Sequence, residues 1–327
     1  MPRFVVRFVP RFVPRFVVWF VPRFVVRCVP RFVVRFVPWF VVRFWVRGGR
    51  WSCMRKAVRY GFLGLFALVF LYPFLLSLAT SFKSRPDAAA NAISPWPEHF
   101  DTRAWSDVLL HSDFPLWTFN SVLVTVLATI ARIFTASLAG YALARLRWRG
   151  QGLVFAGVVS ILAVPPIVLT VPRFLVLKEM SLLNSYAGLV LPLAVDAMGI
   201  FLMRQFFVDL PGELEEAARI DGASIFQAFW YIVLPLARPA LLTLTILSFQ
   251  GVWNEFLMPL IVVRASPSHW TLPFGLSTLG RGGAGGQSFD YPVMMAGSIL
   301  TIIPVAIVFV VFQRFFVRGV ASGGVKG

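Results

Sequence analysis

Residues 204–239 read RQFFVDLPGELEEAARIDGASIFQAFWYIVLPLARP, and the fold turns on what this stretch cannot do. Its first half is too polar to cross a bilayer, yet apolar runs flank it on both sides. It reads as two short helices. Pro211 suits a first-turn position, and Glu213, Glu215 and Glu216 place negative charge where the helix macrodipole favours it. Gly222 supplies the left-handed residue that ends the first helix, and Ser224 is a cap for the second. Ile225, Phe226, Phe229 and Trp230 then form one broad apolar surface before Pro235 interrupts it. On shape alone the stretch is equally a hairpin lying on the membrane surface between two spans.

Working outward, six stretches are nearly free of charge: 60–82, 119–144, 152–172, 185–203, 239–263 and 291–313. At 1.5 Å per residue each is long enough to cross a hydrocarbon core of roughly 30 Å, and a helix satisfies its own backbone groups there. The chain has 327 residues, 58% of them hydrophobic, which is too apolar for a soluble domain of that length. The expected fold class is all-α: a polytopic membrane protein with six transmembrane helices and a helical loop between the fourth and fifth, which the family resemblance given below makes a cytoplasmic coupling-helix loop.

The net charge of +17 suggests a nucleic-acid binder until its location is read. Residues 1–50 hold eleven Arg and no acidic residue, so the remainder carries 20 basic against 14 acidic residues, an ordinary balance for a membrane protein. No nucleic acid is expected as a partner. Counting Lys and Arg on alternate sides of the spans gives twelve against seven, with Arg132 inside a span. The positive-inside rule then places both termini, and the loops after the second and fourth spans, in the cytoplasm; the family resemblance given below implies that the membrane is a bacterial or archaeal plasma (inner) membrane. Residues 83–116 form an ordered outward loop, and 264–290 a second one containing the glycine-rich run 280–286.

From Arg3 to Arg47 a tetrapeptide, RFVP or RFVV, recurs, with Trp19 and Trp39 in place of Arg and Cys28 in place of Phe. Five prolines stop a helix from running through it, and its arginines leave no uncharged stretch of spanning length. Residues 1–53 are read as translated repetitive DNA upstream of a natural start at Met54, and 54–327 as the transmembrane domain. A basic arm for anionic lipid is the functional alternative. Cys28 and Cys53 lie in or just after this segment, so the rest of the chain has no thiol. His99, His111 and His269 lack metal-ligand spacing, and no metal or catalytic role is assigned.

Within 204–239, Glu216, Ala217 and Ala218, then three residues, Gly222, nine residues, Ile232, Leu234 and Pro235 reproduce the E-A-A, G, I-x-L-P signature at every defined position. The chain resembles the permeases of binding-protein-dependent ABC importers. Three further stretches, YALARLRWRG from Tyr141, VWNEFLMPL from Val252 and QRFFVRGVASGGVKG at the end, resemble the maltose-type, carbohydrate-uptake branch. The resemblance implies that 214–235 is the coupling segment seated in a cleft of an ATPase subunit. Docking would fall to Glu216, Ala217, Ala218, Asp221, Gly222, Ala223, Ile232, Leu234 and Pro235. It also implies a second permease, two ATP-binding-cassette subunits and an extracytoplasmic solute-binding protein as partners. The tail 317–327 would reach between the ATPase subunits, and the loop 264–290 would touch the binding protein. The repeat has no counterpart in the family.

Ionisable groups at membrane depth are costly, which singles out Arg132, Asp196 and Glu255. Gln250 lies about one turn before Asn254 and Glu255, and the three form a candidate translocation path, with interhelical hydrogen bonding as the alternative. No G-x4-G-K-[ST] sequence occurs, so the chain needs no cofactor of its own and ATP is bound by the partner subunits. An ion- or proton-coupled secondary carrier would recruit Asp196, Glu255 and the Pro165–Pro166 pair, but gives the cytoplasmic motif no role. A membrane enzyme would need a convergent catalytic cluster, and none is visible.

Overall fold

The computed structural model describes residues 52–280 and 289–323, with side chains from Arg59 to Gly280 and from Phe289 to Phe312. The amino-terminal repeat, residues 281–288 of the glycine-rich run and residues 324–327 of the tail lie outside the described residues. All regular structure among the described residues is helical. In chain order the helices are α1 (Ser52–Thr80), α2 (Arg85–Ala90), α3 (Arg103–Leu110), α4 (Phe114–Arg145) and α5 (Gln151–Leu162). Then come α6 (Thr170–Glu179), α7 (Tyr186–Leu193), α8 (Ala197–Asp209), α9 (Glu213–Ile220) and α10 (Ile225–Ala228). The last five are α11 (Leu234–Leu236), α12 (Arg238–Trp253), α13 (Leu257–Val262), α14 (Leu272–Leu279) and α15 (Tyr291–Gly323).

Four segments are long and apolar enough to span unaided: Arg59–Thr80, Phe114–Arg145, Tyr186–Asp209 and Tyr291–Phe312. Two bent pairs bring the number to six if each is one span. The continuous third span expected over 152–172 is corrected. Pro165 and Pro166 have no N–H to extend the ladder, so α5 ends at Leu162 and the chain resumes at Pro166–Glu179 after a bend of 103°. The fifth, expected over 239–263, is also interrupted: α12 stops at Trp253 and α13 begins at Leu257. The sixteen residues of α12 cover about 24 Å, short of the roughly 30 Å a bilayer core requires.

The chain divides into two compact units, one of the described residues up to Ser112 with those of Gly280–Ile299, the other of Asp113–Leu279 with Leu300 onward. The core of the second unit joins α4, α8 and α12 around Ala136, Tyr141, Met203, Phe207, Ala240 and Leu244. Small residues set the spacing. A side chain at Gly140 would put its Cβ 2.8 Å from Met203 Cβ and 2.9 Å from the Arg204 nitrogen, so α4 and α8 approach this closely only with glycine there.

In the first unit the loop after α1 is ordered by buried charge. Lys83, 1% exposed, donates its Nζ protons to the carbonyls of Asn91 (2.6 Å) and Ser94 (2.7 Å). Buried Asp87 accepts from the Asn91 amide (3.0 Å) and the Glu98 N–H (3.1 Å); the Asn91 bond is the main reason its carboxyl sits below the usual carboxylate range. Buried Asp290 pairs with Arg85 and accepts from Arg103 at 3.3 Å. Lys83→Met strands two carbonyls at about 1–3 kcal/mol each, so limited proteolysis should cut 84–98 in the variant under conditions where the wild-type loop survives.

Candidate functional site

The hairpin between α9 and α10 is specified by local backbone chemistry. The α9 sequence brings Glu213, Glu215 and Glu216 into its first turn and Arg219 into its last, matching the macrodipole at both ends. Gly212 is the N-cap, so Pro211 precedes the helix instead of occupying its first turn as the sequence suggested. At the other end the Ala223 N–H bonds to the Ala218 carbonyl (2.9 Å) and the Gly222 N–H to that of Arg219 (3.1 Å). This is a Schellman closure, and Gly222 at φ +90° supplies its left-handed residue. Ser224 then caps α10 in a reciprocal box: its Oγ accepts from the Gln227 N–H (3.3 Å), while Gln227 Oε1 accepts from the Ser224 N–H (2.8 Å).

Beyond α10, Pro235 does not interrupt the helix. A π-helical turn over Phe229–Val233 lies just before it, and the chain continues through α11 to a 77° bend into α12. Nor do the four apolar residues share one surface. Phe229 is buried against Tyr141, while Ile225, Phe226 and Trp230 remain exposed, with Phe226 and Trp230 stacked at 6.2 Å.

Of the docking residues read from the sequence, Glu216, Ala217, Asp221 and Gly222 are exposed around the turn, and Ala223 is half-buried. Ala218 is buried. Ile232 and Leu234 are half-buried on the second arm, Leu234 against the core, and Pro235 is exposed. Ile220, at 86% exposure, was not singled out in the sequence, whereas Phe226, at 64%, was read there as part of the apolar surface.

The hairpin is tied to α4 by contacts that the sequence did not announce. Tyr141 Oη donates to Glu215 Oε1 at 2.6 Å. Arg145, one turn further along α4, faces Glu215 Oε2 at 3.8 Å and donates Nη2 to the Leu210 carbonyl at 2.5 Å. The Tyr141 ring also packs on Phe229 (4.8 Å between centroids) and edge-on to Phe207 (6.0 Å). The spacing of Tyr141 and Arg145 at i, i+4 was the available signal, since it puts both on one helix face.

The charged groups within the spans gather at helix breaks. Arg132 donates Nε to the Leu193 carbonyl at 2.5 Å, and Thr135 donates to that of Ala194 at 2.8 Å, where α7 ends. Asp196 accepts from the Gly199 N–H at 2.8 Å, where α8 starts. Glu255 Oε1 accepts from the N–H groups of Leu257 (2.9 Å) and Met258 (3.1 Å) at the start of α13. Arg132 lies in the electrostatic field of both carboxylates. Gln250 and Asn254 do share an exposed face of α12, joined by the Asn254 amide donating to the Gln250 carbonyl (2.9 Å). Glu255 does not continue that face as expected, because it is turned to the break and half-buried.

Spans with capped breaks and a structured hairpin between the fourth and fifth define an α-helical, multi-span membrane protein. The family model described as "Binding-protein-dependent transport system inner membrane component" matches residues 133–322. The chain is 34% identical over 264 residues to the arabinooligosaccharides transport system permease protein AraQ of Halalkalibacterium halodurans, covering 80% of this chain and 93% of that one. To the sulfoquinovosyl glycerol transport system permease protein SmoH of Agrobacterium fabrum it is 35% identical over 264 residues, covering 79% and 89%. The crystal structure of a bacterial ABC transporter involved in the import of the acidic polysaccharide alginate contains a chain that superposes with a TM-score of 0.70 at 28% identity, covering 83% of this chain and 99% of that one. The chain belongs to the family of binding-protein-dependent ABC importer permeases.

The capping geometry gives a graded expectation for Asp196. Asp196→Ala should lower the thermal stability of the detergent-solubilised protein by about 1 kcal/mol, and Asp196→Asn by much less because an amide oxygen still caps. Equal losses in a thermal denaturation assay would contradict the cap.

Proposed function

We propose that this chain is one of two permeases in an ATP-driven importer of carbohydrates or their polar derivatives, and that the α9–α10 hairpin is where an ATPase subunit docks. The observation that carries the reading is the hairpin itself. Two helices are locked by a Schellman closure and a capping box, with Glu216, Ala217, Asp221 and Gly222 exposed at the turn. Ala217 and Gly222 let another backbone come close, and the two carboxylates supply charge-assisted hydrogen bonds. Exposed Ile220 and Phe226 add an apolar contact of the kind that a partner covers.

In this reading both termini and the hairpin face the cytoplasm of the plasma membrane, as the distribution of Lys and Arg argues. Two ATP-binding subunits, a second permease and an extracytoplasmic binding protein complete the machine, and hydrolysis in the ATPase pair drives alternating access. Three of the relatives' names favour a saccharide or glycoside, namely arabinooligosaccharides, sulfoquinovosyl glycerol and diacetylchitobiose, and a fourth names a polyol phosphate, sn-glycerol-3-phosphate. The exposed face with Gln250 and Asn254 is the proposed lining of the path, where neutral amides suit hydroxyl groups. Asp196 and Glu255 already accept backbone N–H bonds, which argues against their serving as sites of ion or proton coupling.

Gly222→Asp should abolish ATP-dependent uptake, because it adds to the left-handed strain at φ +90° a second carboxylate beside Asp221, at the helix end where the macrodipole disfavours negative charge. Gly222→Asn, a residue that accepts this conformation, should retain part of it. Ala217→Cys should crosslink to the ATPase subunit in membranes. Undiminished uptake by Gly222→Asp with the ATPases still bound, or no crosslink from Ala217→Cys, would sink the docking assignment.

A further inference from the structure

Resting on the docking reading above, we propose that Tyr141 and Glu215 form a positioning latch that passes the movement of the docked hairpin to α4. Four observations converge on it. Glu215 is the residue of α9 whose carboxylate turns away from the exposed docking side, with its side chain 13% exposed, while neighbouring Glu216 is exposed. Its partner is the 4% exposed hydroxyl-bearing ring of Tyr141, at 2.6 Å, in a bond strengthened by the carboxylate charge. The same ring touches Phe229 on the second arm and Phe207 on α8, so one side chain meets both arms of the hairpin and a neighbouring span. Finally, Arg145 pins the Leu210 carbonyl at 2.5 Å, holding the entry to α9 against the end of α4.

The chemistry fits a strut better than a docking contact. A buried phenol–carboxylate bond is short and directional, and breaking it leaves a poorly hydrated carboxylate whose remaining partner, Arg145, stands 3.8 Å away. A hairpin that keeps its shape but loses this bond can still bind an ATPase, since its turn is stabilised locally by Gly222, Ser224 and Gln227. Its displacement would then be absorbed at the loosened junction and not delivered to α4. The expected defect is uncoupling: ATP is hydrolysed and little solute moves.

The test uses the complete complex of both permeases and both ATPases in proteoliposomes, with the binding protein inside or outside as required. Uptake is measured with tritiated arabinotriose, maltotriose and sn-glycerol 3-phosphate and scored on the probe that wild type imports. Tyr141→Phe should keep ATP hydrolysis within about twofold of wild type while probe imported per ATP falls about fivefold or more. Glu215→Gln, which retains an acceptor oxygen, should fall less, and the double variant should be no worse than Tyr141→Phe because the two residues act as one unit. An unchanged ratio of transport to hydrolysis in both single variants, or independent additive losses, overturns the latch. The Ala217→Cys crosslink is followed in parallel: its persistence with an unchanged ratio removes the latch alone, whereas its absence in an otherwise wild-type complex removes the docking reading beneath it.

Discussion

Every break in a membrane helix frees N–H and C=O groups that no water is at hand to satisfy, and this constraint organises the second unit. The fourth span lapses between Leu193 and Ala197, and the fifth between Trp253 and Leu257. Without partners, each freed group would cost several kcal/mol in hydrocarbon. The protein supplies partners from its charged and hydroxylated side chains. Arg132 and Thr135 take the carbonyl end of α7, Asp196 the amide end of α8, and Glu255 the amide end of α13. A cation meets a helix carboxy terminus and carboxylates meet amino termini, which is the arrangement the macrodipole favours. Three costly ionisable groups are thus accounted for by the backbone they stabilise.

Helix α4 links these breaks to the hairpin. It runs for 32 residues without interruption, about 48 Å, and its Gly140 lets α8 lie against it. Arg132 and Thr135 hold the break in the fourth span, while Tyr141 and Arg145, about two and a half to three turns further on, hold the hairpin. One uninterrupted helix therefore touches both the interrupted span and the exposed hairpin. A displacement of the hairpin has a short, stiff route toward the breaks.

How much of this was legible follows from the range of each interaction. The hairpin turn was readable because its determinants are local: Gly222 and Ser224 act within three to five residues, and both take the roles their chemistry suggests. The bend after α5 was signalled by Pro165 and Pro166, although uninterrupted apolarity argued for a continuous span. The lapse at Asn254–Phe256 carries no proline or glycine, so the sequence does not reveal that the Glu255 carboxylate accepts from the amides of the next helix. The Tyr141–Glu215 bond joins residues 74 positions apart, and periodicity carries no information over such a separation. Arg132 was conspicuous by its charge, but its acceptor, a carbonyl 61 residues away, exists only because α7 stops there.

Pro235 shows how a local rule and the tertiary fold are reconciled. It lacks the N–H that would bond the carbonyl of Tyr231, and an ordinary helix would kink there. The π-helical turn over Phe229–Val233 absorbs the mismatch upstream, so the arm stays continuous to Leu236 and the direction changes only at buried Ala237. That placement keeps Phe229 against Tyr141 and brings Val233 and Ala237 into the core with Ala240 and Leu244. The second arm of the hairpin therefore becomes the fifth span through a packed bend of 77°. The hairpin is gripped at three points, covalently through α8 and α12 and laterally through α4. A body held at several points transmits rotation as well as translation, which a single flexible tether cannot do.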